Sequence, residues 1–319
     1  MLYENKFKKW KLSCFKQGIF PHNKLLSSQR STVCMADGNS IINLGDLAKP
    51  ATVLIEKVSN AVGIIYEPRR IKNQAKAEVE AEKIKALAGI ELSDIQQRGI
   101  ERLVHQEAKK QQNIEDITAQ AASNLTDDAK VEQLEEDWVA HFFDKCERVS
   151  DEKMQSLWSS LLSGEATAPG TFSKRTVDFV SSMDKKDAEL FSRFCQFTWV
   201  IGEPRPLIFD IADNIYIKNG ISFDAIKHLE DIGLVTLEMS VGYILRGFGK
   251  SAHIYYFDEL TKIELPSNDP KNSIKVGKAF FTQTGKELFR VCNANKNLEF
   301  YEYALTQLSN SGAVASKAT

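Results

Sequence analysis

The stretch from residue 136 to 165 constrains the fold more than any other part of the chain. It contains two short segments in which large apolar side chains recur every three or four residues, the spacing of one face of an α-helix. Such bulky side chains need a partner surface that buries them. The sequence therefore predicts a packed helical core, built from Trp138, Phe142, Phe143, Met154, Leu157, Trp158, Leu161 and Leu162.

No comparable pattern predicts chemistry. The sequence holds no glycine-rich nucleotide loop and no recognisable nucleophile. Its five cysteines lie far apart without a CxxC pair, which argues against a zinc site and against a disulfide framework. His141 and Cys146 are five residues apart, so they point in different directions on a helix. We therefore expect a non-enzymatic protein of a reducing, cytoplasmic compartment, with no metal and no cofactor.

Residues 1–40 differ from the rest of the chain in charge. Before Met35, seven lysines and arginines face one acid, Glu4, whereas the whole chain has a formal charge of −2. That overall charge gives no global attraction to nucleic acid or to an anionic membrane. Three interpretations of this basic leader stay open: a tail that contacts acidic lipid or nucleic acid, a disordered leader, or an upstream frame with the true start at Met35.

An apolar helix is predicted early in the region 41–125. Charged residues interrupt its sequence, so the uncharged run is shorter than the roughly 20 residues that a membrane-spanning helix needs. One interpretation makes the apolar stripe part of the core, packed on a neighbouring helix. The other makes it a face for a membrane surface or a partner, exposed by a trigger. The residues of this face are Val53, Leu54, Val58, Val62 and Ile65.

Long polar helices are predicted for the remainder of the region 41–125. Alanine, glutamate, lysine and glutamine dominate it, and all four favour helices. Two thin apolar stripes run through it, the first formed by Ala77, Ala81, Ile84 and Ala88 and the second by Ile100, Leu103, Val104 and Ala108. They are too thin for a regular leucine coiled coil, so they favour a helical hairpin or a modest self-association surface. A homo-oligomer is the partner prediction that follows.

Two further regions and a tail complete the predicted organisation. Residues 126–202 are predicted to form a central α-helical unit, and residues 203–310 a winged-helix-like α+β domain. In that domain a helix, a strand that starts at Gly233-Leu234-Val235, a small sheet and a final helix follow one another. Residues 311–319 are predicted to be a disordered tail. The predicted fold class is mainly α, with long N-terminal helices, the central unit and the α+β domain.

Ser173, Lys174 and Arg175 are the one candidate site for a small ligand. They follow Pro169-Gly170 at a predicted helix start, where backbone amides and two cations can hold a phosphate. The simpler interpretation is a capped helix with two exposed cations, because no GxxxxGK[ST] sequence accompanies them. Both interpretations stay open on sequence alone.

Three motifs carry a resemblance to a known family. The pattern from Trp138 to Phe191, WxxxFFxxxxxVSDExMQxLWxxLLxGExxxPGxxSxRTxxFVxxxDxxDAxxF, is the most specific. NIEDI at 113–117 and GISFDAIKHLEDIGLV at 220–235 accompany it. With these motifs the chain resembles a bacterial family catalogued only as domain of unknown function 2806, from about Asn39 to Leu308. The resemblance implies no activity and no catalytic residues, and a looser likeness to phage-defence-associated proteins suggests a defence role.

Together these observations favour an interaction protein. We expect a self-associating phage-defence or stress effector whose apolar helix acts on a membrane, cytoplasmic or peripheral at the inner membrane. The alternative is a regulator that binds nucleic acid through the winged-helix-like domain. Charge in the predicted helix of that domain opposes the alternative, because Lys227 and His228 face four acids between 222 and 238.

Overall fold

A computed structural model describes residues 48–63, 93–265, 269, 272–310 and 314–317. The predicted basic leader, Ile65 and most of the polar stretch before residue 93 lie outside these residues. The described residues belong to two compact units, one that ends at Ser181 and one that begins at Ser182. The protein is of mixed α+β class with helices predominating.

The N-terminal unit is helical throughout its described residues. Its helices are α1 (Lys49–Val62), α2 (Asp94–Ser123), α3 (Glu136–Cys146), α4 (Glu152–Thr167) and α5 (Lys174–Ser181), with a 3-10 turn at Val131–Gln133. Helix α1 packs on α3 and α2, and α2 packs on α4.

Aromatic rings form the centre of this unit. The Phe142 ring lies 5.1 Å from the rings of both Trp138 and Trp158, measured between centroids. The Trp138 indole donates a hydrogen bond to the Phe172 carbonyl, at 2.8 Å, which satisfies its buried N–H group. At the start of α4 the Asp151 carboxylate accepts hydrogen bonds from two backbone amides. The core predicted from residues 136–165 is therefore present, and all its members except Leu157 are buried.

The C-terminal unit combines helices with small antiparallel sheets. Its helices are α6 (Lys185–Cys195), α7 (Asn214–Ile217), α8 (Phe223–Asp231), α9 (Gln283–Phe289) and α10 (Leu298–Asn310). Its strands are β1 (Thr198–Ile201), β2 (Glu203–Pro206), β3 (Val235–Leu237), β4 (Tyr243–Arg246), β5 (Ser251–Tyr256), β6 (Glu259–Glu264), β7 (Ser273–Gly277), β8 (Ala279–Phe281) and β9 (Val314–Lys317). One sheet has the order β2-β1-β5-β6-β9, while β3 pairs with β8 and β4 with β7.

A glycine allows the close approach of α9 to the segment before β3. A Cβ atom at Gly285 would lie only 2.1 Å from the Leu234 carbonyl oxygen. Thr282 fixes the same contact, because its hydroxyl donates to the Gly233 carbonyl at 2.7 Å and accepts from the Gly285 amide at 3.1 Å. The sequence Thr282-Gln283-Thr284-Gly285 thus caps α9 and joins it to the segment that follows α8, at Gly233 and Leu234.

The units divide the chain at a different place from the boundary predicted at 202/203. Helix α6, assigned from sequence to the central α unit, belongs to the C-terminal unit, because Phe191 and Phe194 pack against the Phe281 ring of β8 at 5.8 and 5.9 Å.

Residues 41–125 and 126–202 were also predicted to be separate. The described parts of both up to Ser181 form one unit, because α1 and α2 bury apolar faces against α3 and α4.

The predicted disordered tail, 311–319, also differs from the structure. Residues 314–317 form β9, which pairs antiparallel with β6. No side-chain pattern predicts this strand, because the backbone hydrogen bonds that attach it to a sheet edge do not depend on side chains.

Candidate interaction surface

Helix α2 is 30 residues long, and its two halves have different surroundings. Its C-terminal half lies in the core, with Ile117 and Ala121 fully buried against the neighbouring helices. Asn113 fixes this half: its side-chain amide donates to the Glu147 carbonyl at 2.9 Å and accepts from Gln155 at 3.3 Å. These hydrogen bonds determine which face of α2 points inward.

The N-terminal half of α2 is exposed on all sides. Every residue from 100 to 109 is exposed. Ser93 caps the start of the helix, and its backbone amide donates to the Gln96 side chain at 3.0 Å. An isolated helix of this length is marginally stable in water, since most helical stability in proteins comes from packing. This half therefore gains stability from anything that packs along it.

Three large apolar side chains lie on the exposed half of α2 at helical spacing. Ile100, Leu103 and Val104 keep 49%, 57% and 63% of their surface exposed, and we call these three residues the α2 stripe. Alternating steps of three and four residues lead from Ile100 and Leu103 to the buried Ile114, Ile117 and Ala121, through Glu107 and Lys110. The spacing is that of a heptad repeat, whose inward positions are apolar at both ends of the row but charged at Glu107 and Lys110. The α2 stripe thus continues the buried face beyond the end of the core.

The borders of the α2 stripe carry no net charge. Glu107 and Lys110 form an ion pair at 2.9 Å, and Lys110 also contacts Glu147 at 3.0 Å. The hydrogen bond with Glu107, and after it the one with Glu147, raises the pKa of Lys110 above its ordinary value. The positions that flank the seam are Gln97, Gly99, Gln106 and Gln111, which are all uncharged. A second helix with the same sequence meets no like-charge repulsion at such positions.

The face of α1 predicted for a membrane or partner lies inside the N-terminal unit. Leu54 and Val58 are fully buried, while Val53 and Val62 are half-buried. The Lys57 ammonium donates to the Leu134 carbonyl at 2.7 Å, which ties the edge of α1 to the 3-10 turn. In this arrangement the stripe is core, the first of the two interpretations. None of the helices in the described part of the chain is long and apolar enough to cross a membrane.

The Ser173, Lys174 and Arg175 cluster sits at the start of α5, as the sequence predicted. The Ser173 hydroxyl accepts a hydrogen bond from the Thr176 amide at 3.3 Å, and Lys174 and Arg175 are exposed. The loop just before them is already occupied by a carboxylate of the chain itself. Glu165, 4% exposed, accepts from the Gly170 amide at 2.6 Å and the Phe172 amide at 2.7 Å. These two amides are therefore not available to an anion.

The burial of Glu165 is a feature that the sequence did not predict. Glu165 ends a serine- and leucine-rich helical turn, where a glutamate is ordinarily solvated, and no spacing marked it as buried. Only the return of the chain through Gly170 and Phe172 brings two amides to its carboxylate. Its role is to hold the loop between α4 and α5.

His141 and Cys146, the two side chains considered from sequence as a possible metal or catalytic pair, do not point to a common site. His141 lies 2.9 Å from Asp178 across α3 and α5, whereas Cys146 is fully buried. Burial raises the pKa of the Cys146 thiol well above its ordinary value, which opposes roles as a nucleophile or a metal ligand. Among the described residues, no group of three or more histidine, cysteine, aspartate or glutamate side chains is arranged to hold a metal ion.

Comparison with known protein families decides the chain's relationship. The sequence model of a family described as "Protein of unknown function (DUF2806)" matches residues 97–305, more than half of the chain. The chain belongs to this family. The match begins inside α2 rather than near Asn39, where the resemblance was expected to begin, and it includes the α2 stripe. No curated protein and no solved structure matches the chain.

Proposed function

We propose that this member of the DUF2806 family is a non-enzymatic cytoplasmic interaction protein that self-associates through the α2 stripe. The observation that carries the proposal is the exposure of Ile100, Leu103 and Val104 on a face that becomes buried at Ile114, about three turns further along α2. Scattered exposed apolar residues are normal on a protein surface, whereas a periodic row on an unsupported helix is typical of a pairing face.

The proposed partner is a second α2. Two copies bury the same row against each other, and the uncharged flanking positions allow this. Three apolar side chains per copy make a small interface, and association costs much of the gain. The expected dissociation constant is therefore on the order of 10 µM, which makes the assembly concentration-dependent.

Sedimentation equilibrium of matched charge variants tests the proposal. Leu103→Glu places a carboxylate at the centre of the α2 stripe and is expected to make the protein monomeric, because two such charges would face each other. Ile95→Glu is the control, since Ile95 is 71% exposed on the same helix but points away from the stripe. A Leu103→Glu variant that associates as strongly as Ile95→Glu, or a wild type that is monomeric at all concentrations, would refute the proposal.

The cellular role that we propose is that of a phage-defence or stress effector whose activity depends on its assembly. In that role Leu103→Glu abolishes protection against phage, whereas Ile95→Glu retains it, at equal protein levels. A membrane action of α1 would require Leu54 and Val58 to leave the core, so it belongs to a rearranged state rather than to the packed unit.

A second candidate function is nucleic-acid binding by a winged-helix arrangement. The order α6-α7-α8-β3, followed by the β4–β7 ribbon and β8, supports that arrangement. Arg246 and Lys275 lie exposed on one face of the ribbon, and neither forms an ion pair with another described residue. Phosphate contacts need such cations. Helix α8 itself opposes base reading, because Lys227 is neutralised by Glu230 and Asp231 at 2.8 and 2.7 Å.

A gel shift with random-sequence duplex at several salt concentrations tests this second function. The double variant Arg246→Gln/Lys275→Gln is expected to lower affinity and reduce the salt slope by about 2, one unit for each lost phosphate contact. Lys227→Gln is the matched control, since its charge is already compensated. Binding by wild type with no loss in the double variant would exclude the ribbon as the contact surface.

A further inference from the structure

Strand β9 covers one edge of the five-stranded sheet in an unusual way. The opposite edge, β2, carries Pro204 and Pro206, and prolines protect an edge strand against pairing with another chain. On the β9 side the protection comes from four residues near the end of the chain, which pair with β6 from Thr261 to Glu264. The two edges are therefore protected by different means, one built into the strand and one added to it.

Strand β6 does not depend on β9 for its position. It pairs with β5 through six consecutive residues, and both Thr261 and Ile263 are fully buried. The Thr261 hydroxyl also forms a hydrogen bond with the Tyr301 hydroxyl of α10, at 3.1 Å. The edge of β6 thus remains formed, with its outward backbone groups in place, when β9 leaves.

Strand β9 pairs with that edge through all four of its residues. The side chain of its first residue, Val314, is 66% exposed and so contributes little apolar burial. Only three small residues, Ser311 to Ala313, separate it in sequence from the end of α10. A short strand held through backbone hydrogen bonds is the element that peptide-binding sheet edges accept from a partner.

We propose that the outer edge of β6 is a strand-docking site, and that its second occupant is strand β9 of another copy of this chain. The second copy offers the same four residues in the same register, so an exchange replaces each hydrogen bond by an identical one. Attachment to α10 favours the chain's own strand at an effective concentration in the millimolar range, so exchange increases where copies are concentrated. This surface is separate from the α2 stripe and makes a second, independent contact between copies.

Disulfide trapping between two full-length variants tests the exchange. Lys262 and Ser316 are register partners, and paired Cα atoms of antiparallel strands lie about 4.5–5.5 Å apart, within the range of a disulfide. A Lys262→Cys copy and a Ser316→Cys copy, with tags of different size, are mixed and oxidised slowly with diamide. Both carry serine in place of Cys14, Cys34 and Cys292, while the buried Cys146 and Cys195 are kept.

The expected result is a covalent heterodimer that accumulates with protein concentration, severalfold above a control pair of Ser316→Cys and Lys275→Cys. Lys275 is exposed on β7, away from this edge.

The double variant Lys262→Cys/Ser316→Cys on one chain is expected to close its disulfide within the chain. Closure within the chain without a heterodimer above the control would overturn the exchange. Failure to close within the chain would overturn the docking site itself. Repeating the mixture with Leu103→Glu in both copies separates this contact from association through the α2 stripe.

Discussion

At the scale of single residues, Glu165 gives the sharpest prediction for the N-terminal unit. Its buried carboxylate accepts two backbone amides from the loop before α5. Glu165→Gln replaces one acceptor oxygen by a donor, so one amide loses its partner, at a cost of about 2 kcal/mol. Urea unfolding followed by circular dichroism measures the change. Glu136→Gln, at an exposed position in α3, is the control, and equal stability of both variants would show that the carboxylate does not hold the loop.

Glu203 predicts a pH dependence in the C-terminal unit. A hydrogen bond with Lys286, at 2.7 Å, lowers the pKa of Glu203 below the ordinary glutamate value. A carboxylate with a lowered folded-state pKa stabilises the fold above its unfolded pKa, and the contribution is lost as pH falls through the folded value. Because the side chain is half exposed, Glu203→Gln costs less than about 1 kcal/mol at pH 7.

The stability difference between wild type and Glu203→Gln is therefore expected to be constant above about pH 5 and to decline as the pH falls below about 4, through the lowered folded-state pKa of Glu203. Urea midpoints measured from pH 3 to 7 show this directly. A difference that grows as the pH falls would mean that another group dominates.

At the scale of elements, charge substitutions on the two faces of α1 test whether it is a core helix or a surface helix. Val58 is fully buried, so Val58→Asp is expected to destabilise the N-terminal unit by about 3 kcal/mol or more. Asn60→Asp adds the same charge to an exposed position of the same helix and is expected to change little. Equal urea midpoints for the two variants, or flotation of the resting wild type with anionic liposomes, would contradict a buried α1.

Periodicity predicted the helices better than it predicted their surroundings. The spacing around Trp138 and Trp158 marked a helical core correctly, because such large apolar rings have few other places to go. The α1 and α2 stripes look alike in sequence, yet Leu54 is buried and Leu103 is exposed. Which stripe finds a partner depends on tertiary contacts that a local pattern does not contain. Glu165 and β9 were missed for the same reason, since both depend on backbone groups brought from elsewhere.

At the scale of the whole molecule, the chain divides into two compact units that the sequence had divided differently. The boundary lies at Ser181/Ser182 rather than at 202/203, because the aromatic rings of α6 pack on β8 in the C-terminal unit. Both units present a feature suited to a second copy, the α2 stripe in one and the β6 edge in the other. If both proposed contacts form, an assembly with two independent contacts per chain grows beyond a dimer, as the proposed effector role requires.

Hydrogen–deuterium exchange at two protein concentrations, roughly a hundredfold apart and on either side of the expected dissociation constant, tests self-association through the α2 stripe most directly. The amides of residues 97–111 belong to an unsupported helix, so pairing is expected to slow their exchange at the higher concentration in wild type and in Ile95→Glu, but not in Leu103→Glu. Residues 114–122, which are packed in the core, are expected to exchange equally at both concentrations. Exchange over 97–111 that does not change with concentration, in a sample that sediments as an oligomer, would place the contact elsewhere and contradict the proposed function.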